Sequence, residues 1–289
     1  MLPYILAARP KTLPAAVVPV WVGTVLTWVL SGHVDGLLVF CTLFGAICIQ
    51  IATNFFNDAI DHAKGADTEK RLGPQRVTSS GLMSRKTVMT TASVFLLLAT
   101  ACGIVLIRAA GWPILAIGIP SLYFAYGYTG GPVPLAYRGL GELFVIIFFG
   151  FVAVAGTVYV QTLRWPAESF LLGAQTGLLS AVLISINNLR DREEDASTGK
   201  RTLAVRFGGK FARLMILWET KLAVFLGLLW MKLGHPFLAL ASLPILMVGL
   251  ILDWFILTMP EGKQMNRLLA LAALQLVLFA VVFHITSRI

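Results

Sequence analysis

The chain has 289 residues, of which 57% are apolar and only 13% charged, with a formal net charge of +9 and a mean hydropathy of +0.82. A soluble domain carries about a quarter of its residues as charges, so this composition argues against a soluble enzyme, a disordered chain or a secreted disulfide scaffold. The apolar runs extend for about twenty residues, the length that crosses a bilayer core as a helix, whereas a transmembrane barrel alternates over strands of about ten.

An all-α polytopic membrane protein is therefore expected. Apolar runs and Gly/Pro breaks predict nine transmembrane helices near residues 12–31, 36–57, 87–108, 111–129, 140–162, 168–190, 212–232, 236–258 and 267–287. Arg9 and Lys11 precede the first run as in a signal peptide, but no small-residue cleavage site follows, so the first helix is expected to be retained. Cys41, Cys48 and Cys102 sit inside apolar runs without metal-ligand spacing and read as small packing residues.

The inner end of helix 2 carries Asn54-Phe-Phe-Asn57-Asp58-Ala-Ile-Asp61, with Asp67 and Glu69 beyond it. Asn54, Asn57, Asp58 and Asp61 have the spacing of one helix face. Lys70, Arg71 and Arg76 follow. Tyr123, Tyr126 and Tyr128 at the inner end of helix 4 form an interfacial aromatic belt, or offer ring faces that steady a carbocation. Gly173 and Gly177 in helix 6 suit close helix packing. The inner end of helix 6 carries Asn187-Asn188-Leu-Arg-Asp191-Arg-Glu193-Glu194-Asp195, and Lys200-Arg201 follow. Asn187, Asp191 and Asp195 again share one face. Glu219, Lys221 and Asp253 are expected to reach interfacial water.

The two acidic clusters lie 130 residues apart, from Asp61 to Asp191, and so four helices apart. Helices 2 and 6 then run parallel, as in an internal repeat. The expected organisation is a single domain over 1–289, with repeat one at about 12–129, repeat two at about 140–258 and a ninth helix at about 267–287. With nine spans, 18 of the 23 Lys and Arg fall on the N-terminal face; Arg108, Arg164, Lys232 and Arg288 fall opposite, and Lys221 lies within a span. The positive-inside rule places the N-terminus and both acidic loops in the cytoplasm. It also explains the basic charge without a nucleic-acid partner.

Stacked carboxylates repel unless a cation sits between them. Mg²⁺ suits this arrangement, because it takes one or two carboxylates and shares phosphate oxygens with a substrate. Asp58, Asp61, Asp191 and Asp195 are the candidate catalytic residues, and with Asp67 the candidate metal ligands. Asn54, Asn57, Asn187 and Asn188 are candidate substrate contacts through their amides. Arg71, Arg76, Lys200 and Arg201 either clamp a diphosphate or merely follow the charge rule of the inner face. Lys11, within Arg9-Pro-Lys11-Thr12, is placed to cap the same pocket. Glu69, Glu193 and Glu194 are expected to face water. An ion-coupled transporter is the alternative class, but its sites lie near mid-bilayer, and helices 2 and 6 carry no charge there.

These residues resemble the UbiA superfamily of intramembrane aromatic prenyltransferases over essentially the whole chain, with an NDxxD-type motif at Asn57 to Asp61 and a DxxxD motif at Asp191 to Asp195. Three stretches look most like the menaquinone-pathway branch: Arg9-Pro-Lys-Thr-Leu-Pro14; Asn57-Asp-Ala-Ile-Asp61-His-Ala-Lys-Gly-Ala-Asp67 with Arg71-Leu-Gly-Pro74; and Asn188-Leu-Arg-Asp191 running to Gly199-Lys-Arg-Thr-Leu-Ala-Val-Arg206. The third acid of the first motif departs from the pattern: many members carry it four residues beyond the second, where this chain has Gly65. The resemblance implies Mg²⁺-dependent transfer of a prenyl group from a polyprenyl diphosphate, its tail toward lipid, to an aromatic acceptor in a bacterial inner membrane. In this branch the acceptor is 1,4-dihydroxy-2-naphthoate, whose carboxylate leaves as CO₂. Another acceptor on the same fold, such as 4-hydroxybenzoate, stays open.

Overall fold

A computed structural model describes residues 1–67 and 72–289. Among these residues the regular structure is helical, without strands. A short helix α1 (Leu2–Ala8) precedes α2 (Pro14–Ser31), α3 (Gly36–Ala63), α4 (Arg85–Ala110), α5 (Trp112–Gly127), α6 (Gly141–Thr162), α7 (Ala167–Arg190), α8 (Arg192–Ser197), α9 (Leu203–Lys232), α10 (Pro236–Thr258) and α11 (Lys263–Thr286). Eight of them, α2 to α4, α6, α7 and α9 to α11, are long and apolar enough to cross a bilayer, and the shorter apolar α5 has 16 residues.

Local chemistry sets the ends. Gly32, in the left-handed region at φ 66°, closes α2, and the Asp35 carboxylate caps α3 by accepting from the Leu37 and Leu38 amides. Ser84 caps α4 and Thr202 caps α9 in the same way. Two helices outrun the sequence reading. α3 continues past residue 57 to Ala63, and its 28 residues rise about 42 Å, well beyond an apolar slab of about 30 Å. Its acidic last turns therefore clear the hydrocarbon. α9 begins at Leu203 and turns sharply at Gly208, whose φ of 85° is open to glycine at little cost.

α7 is the most buried of the eight, with 72% of its apolar window inside the protein. It packs on α6, α9, α11 and α2. Gly173 and Gly177 make the contact with α6 close: a Cβ on Gly177 would lie 2.7 Å from the Ile146 carbonyl oxygen and 3.1 Å from the Gly150 Cα. The facing stretch of α6, Ile146–Ala155, is π-helical. Away from the acidic ends the core holds Trp230, Phe279, Phe283 and Leu26. The Trp230 indole donates to Gln175 at 2.8 Å, and Gln175 donates to the Ala223 carbonyl at 2.9 Å. The three cysteines are buried.

Glu219 and Asp253 do not sit in interfacial water as expected; both are buried. Tertiary partners replace the solvent: Ser185 donates to Glu219 at 2.9 Å, and Lys221 donates to Asp253 at 2.7 Å.

Replacing Gly177 by Val should destabilise the protein by about 1–3 kcal/mol, the usual cost of overpacking a filled interface. Thermal unfolding of the detergent-solubilised variant checks this; an unchanged midpoint would contradict the close α6–α7 contact.

Candidate active site

A cavity of about 1370 Å³ runs from the acidic ends of α3 and α7 to Ile107 and Ile114 beside the α4–α5 turn. Asn57, Asp61, Asn187, Asn188, Asp191, Asp195 and Lys200 line its polar end, and Phe124, Phe144, Phe148 and Phe149 stand among its apolar walls. Phe144 stacks on Phe148 at a centroid distance of 4.2 Å, with Phe124 edge-on to both.

Asp61 sits at the centre of the polar end. Its Oδ1 accepts from the Tyr137 hydroxyl at 2.9 Å. Its Oδ2 accepts from Arg76 at 2.9 Å and Lys200 at 3.5 Å. Lys200 also lies 3.7 Å from Asp195, so one ammonium joins the two clusters. Tyr137 extends beneath both amines, with the Lys64 and Lys200 Nζ atoms 4.1 and 5.4 Å from its ring centroid. On the other side Arg190 forks onto Asp191 at 2.7 and 2.5 Å and donates to Asn266 at 2.6 Å. Asn266 donates to the Leu72 carbonyl at 3.1 Å, tying the loop after α3 to α11. α7 ends at Arg190, yet the Asp191 amide still bonds the Asn187 carbonyl and the Asp195 amide the Asp191 carbonyl. The face expected from the sequence spacing thus survives the break.

Not every predicted residue reaches the cavity. Asp58 accepts from the Val77 and Thr78 amides at 3.0 and 2.9 Å. Its carboxylate pins the loop that follows α3 and is absent from the cavity lining. Asp67 and Arg76 are also off the lining, buried against each other at 3.3 Å. Arg201 is exposed and pairs through its backbone with Tyr137 and Arg206. Arg71 lies outside the described residues, as do Glu69 and Lys70. Lys11 and Arg9 line the mouth. The Asn54 amide fastens their segment by donating to the Ala8 carbonyl at 2.9 Å and the Thr12 hydroxyl at 3.0 Å. Asn57 accepts from the Thr129 hydroxyl, Asn187 donates to the Leu183 carbonyl at 3.1 Å, and Asn188 donates to Glu142 at 2.7 Å.

Tyr123 and Tyr126 are 50% and 38% exposed and lie off the lining. Phe124 and Tyr128, four residues apart and so on one helix face, line it instead.

The sequence reading missed Tyr137, Glu142 and the Arg190 fork. Arg190 had a signal in its adjacency to Asp191. Glu142 had one as an ionisable residue at the head of an apolar run, a functional candidate by default. Tyr137 had none.

Burial pushes the Asp195 carboxyl up to about 6; Lys200 opposes this, and Asp191 and Asp61 reinforce it. Burial, followed by the Asp61 charge, raises the Tyr137 hydroxyl. Among the described residues no three His, Cys, Asp or Glu side chains form a metal cage. Mg²⁺ does not require one, since it keeps waters and completes its shell with substrate phosphate. Asp61 and Asp195 share the Lys200 ammonium, and Asp191 stands with Arg190 on the same lining, an arrangement of acids that fits a divalent ion shared with a diphosphate.

Residues 16–282 match the model of the UbiA prenyltransferase family. The chain is 38% identical over 214 residues to a 1,4-dihydroxy-2-naphthoate octaprenyltransferase of Haemophilus influenzae, covering 72% of this chain and 70% of the relative. It is 40% identical over 223 residues to the enzyme of the same description from Mycobacterium tuberculosis, covering 76% and 74%. In fold it is similar to a UbiA homolog from Archaeoglobus fulgidus solved with DMAPP and Mg²⁺, with a TM-score of 0.68, 15% identity, and coverage of 97% of this chain and 99% of that one. The same homolog solved with GPP and Mg²⁺ gives a TM-score of 0.66 at 14% identity, with 99% of both chains covered.

Asp58→Ala should act on stability, at about 1.5–3 kcal/mol for each charge-assisted bond lost, and open the loop around Val77 to proteolysis. Asp61→Asn should act on ligand binding instead. Comparing melting temperature with Mg²⁺-dependent prenyl diphosphate affinity for the pair checks the assignment. Equal effects of both variants on affinity would reverse it.

Proposed function

The chain belongs to the UbiA prenyltransferase family, and from that premise we propose that it transfers a polyprenyl group from polyprenyl diphosphate to 1,4-dihydroxy-2-naphthoate. The acceptor's carboxylate leaves as CO₂, giving demethylmenaquinol for menaquinone biosynthesis. The observation that carries this reading is a single cavity whose end gathers Asp61, Asp191, Asp195 and Lys200 and whose remainder is an apolar chamber with a phenylalanine wall.

Asp61, Asp191 and Asp195 are the residues that hold Mg²⁺. When bound, the ion neutralises the diphosphate and favours departure of the leaving group. Lys200, with Arg9 and Lys11 at the mouth, supplies further positive charge to the diphosphate as the C–O bond ionises. The chamber receives the prenyl tail. Phe124, Phe144 and Phe148 exclude water from the allylic cation and turn ring faces toward it. This role falls to them in place of Tyr123 and Tyr126, which face outward.

We further infer nine crossings. The 16 residues of α5 span about 24 Å as a helix, enough for a slightly thinned bilayer. α2 to α5 then form one repeat, α6, α7, α9 and α10 the second, and α11 the ninth crossing, within one domain. The charge asymmetry of the loops supports an N-terminus and active-site loops in the cytoplasm of a bacterial inner membrane.

Incubation of carboxylate-labelled naphthoate with a polyprenyl diphosphate and Mg²⁺ should release labelled CO₂ alongside a prenylated naphthoquinol. Asp191→Asn should lose at least about 10²–10³-fold in rate while remaining folded. Turnover of 4-hydroxybenzoate with its carboxylate retained, and none of the naphthoate, would refute the acceptor assignment.

The topology has its own test. A cysteine placed at Ser197 should resist an impermeant thiol reagent in intact cells, and one at Ser287 should react. The reverse pattern would invert the orientation.

A further inference from the structure

Glu142 stands on the cavity lining in the first turn of α6. It is 3% exposed. One oxygen, Oε1, accepts from the Asn188 amide at 2.7 Å. The other, Oε2, is buried and has no hydrogen-bond partner among the described residues. The carboxylates of the metal end differ from it, because Asp61, Asp191 and Asp195 each have an Arg or Lys within 4 Å. Glu142 is thus an acceptor held in place on one side and left without a donor on the other.

Its depth is also informative. Asn188, which holds it, lies near the end of α7, three residues before its C-cap Asp191, about 4.5 Å of helix rise deeper. Glu142 therefore sits just under one helical turn below the acids expected to grip the diphosphate, on the side of the apolar chamber. The titratable groups nearby are few. Tyr128 lies at the end of α5, its hydroxyl 2.9 Å from where a Gly141 Cβ would sit. Tyr137, in the 135–137 turn that packs on the start of α6, has its hydroxyl on Asp61. From α7 its hydrogen-bond partner among the described residues is Asn188, with Glu219 of α9 lying beyond Ser185.

We propose that Glu142 is the general base that takes the hydroxyl proton of the aromatic acceptor. The inference rests on the prenyl-transfer reading above. Removal of the proton from the hydroxyl next to the ring carboxylate raises electron density on the carbon that bears that carboxylate. This carbon forms the new C–C bond to the allylic carbon, while the C–O bond to the diphosphate breaks and its electron pair leaves with the diphosphate. The product is a β-keto carboxylate. It loses CO₂, the bonding pair returns to the ring as a naphtholate, and Glu142 returns the proton to that oxygen. No net proton, oxidant or co-reactant is consumed.

The test compares wild type with Glu142→Gln and Glu142→Asp in lipid nanodiscs. Gln keeps an oxygen for Asn188 but cannot take a proton. Glu142→Gln should lower kcat by about 10²–10⁴-fold, the usual contribution of a positioned base, with Mg²⁺-dependent prenyl diphosphate affinity unchanged. Its residual rate should rise about tenfold per pH unit over about pH 7–9, as solution ionisation of the acceptor substitutes for the base, where wild type stays flat. Glu142→Asp should recover part of the rate. A Gln variant with the wild-type kcat, one with the wild-type pH profile at reduced rate, or one that has lost prenyl diphosphate binding would each overturn the proposal. Wild type, run in parallel on the naphthoate and on 4-hydroxybenzoate, tests the acceptor reading separately, and the Gln comparison is made on whichever acceptor it uses.

Discussion

The architecture depends on holding several carboxylates together at the edge of a low-dielectric slab. Two charges at contact distance interact far more strongly there than in water, and a buried charge without a partner costs several kcal/mol. Asp61, Asp67, Asp191 and Asp195 consequently each lie against a cation. Arg76 serves Asp61 and Asp67, Arg190 serves Asp191, and Lys200 lies between Asp61 and Asp195. Most of these pairs are local in the chain, but Lys200 and Asp61 are 139 residues apart. Through that one contact, neutralising the site also ties the two acidic segments together. Lys200 differs from the arginines in that it lies between two acids, at 3.5 Å from Asp61 and 3.7 Å from Asp195.

The second requirement is a dry chamber under that charge. The close α6–α7 contact through Gly150, Gly173 and Gly177 seals one side without bulky side chains. The phenylalanines of α5 and α6 can then fill the wall. On the proposed reading, a carbocation formed at the polar end meets rings and methyl groups before it meets water.

Much of this was legible in the sequence, and the exceptions share a cause. Apolar run length located the membrane helices, because it depends only on the solvent each stretch must face. Helical spacing grouped Asp61, Asp191 and Asp195 as residues that the structure places on the cavity lining, because the i to i+4 relation is local. Asp58 has the same local credentials as Asp61. Its withdrawal into the loop depends on where Val77 and Thr78 fold back, a long-range fact that spacing does not encode. Tyr123 and Phe124 are neighbours whose roles are decided by how α5 is rotated against the cavity, and an apolar helix with residues of similar size all round carries little trace of that rotation. Glu142 is defined by Asn188, 46 residues away.

The π-helical stretch of α6 has a geometric consequence. Beyond Gly141 and Glu142, the residues of α6 that line the cavity fall at 144–145, 148–149, 152–153, 156–157 and 160, a repeat of four. In an unbroken α-helix each step of four residues overshoots a full turn by about 40°, so four such steps would carry the stripe about 160° round, nearly to the opposite side of the helix. The wider turns of Ile146–Ala155 cancel that drift. A single straight rail of side chains can thus run the length of the chamber, from the Glu142 end to Val160, while the back of the same helix stays fixed against α7.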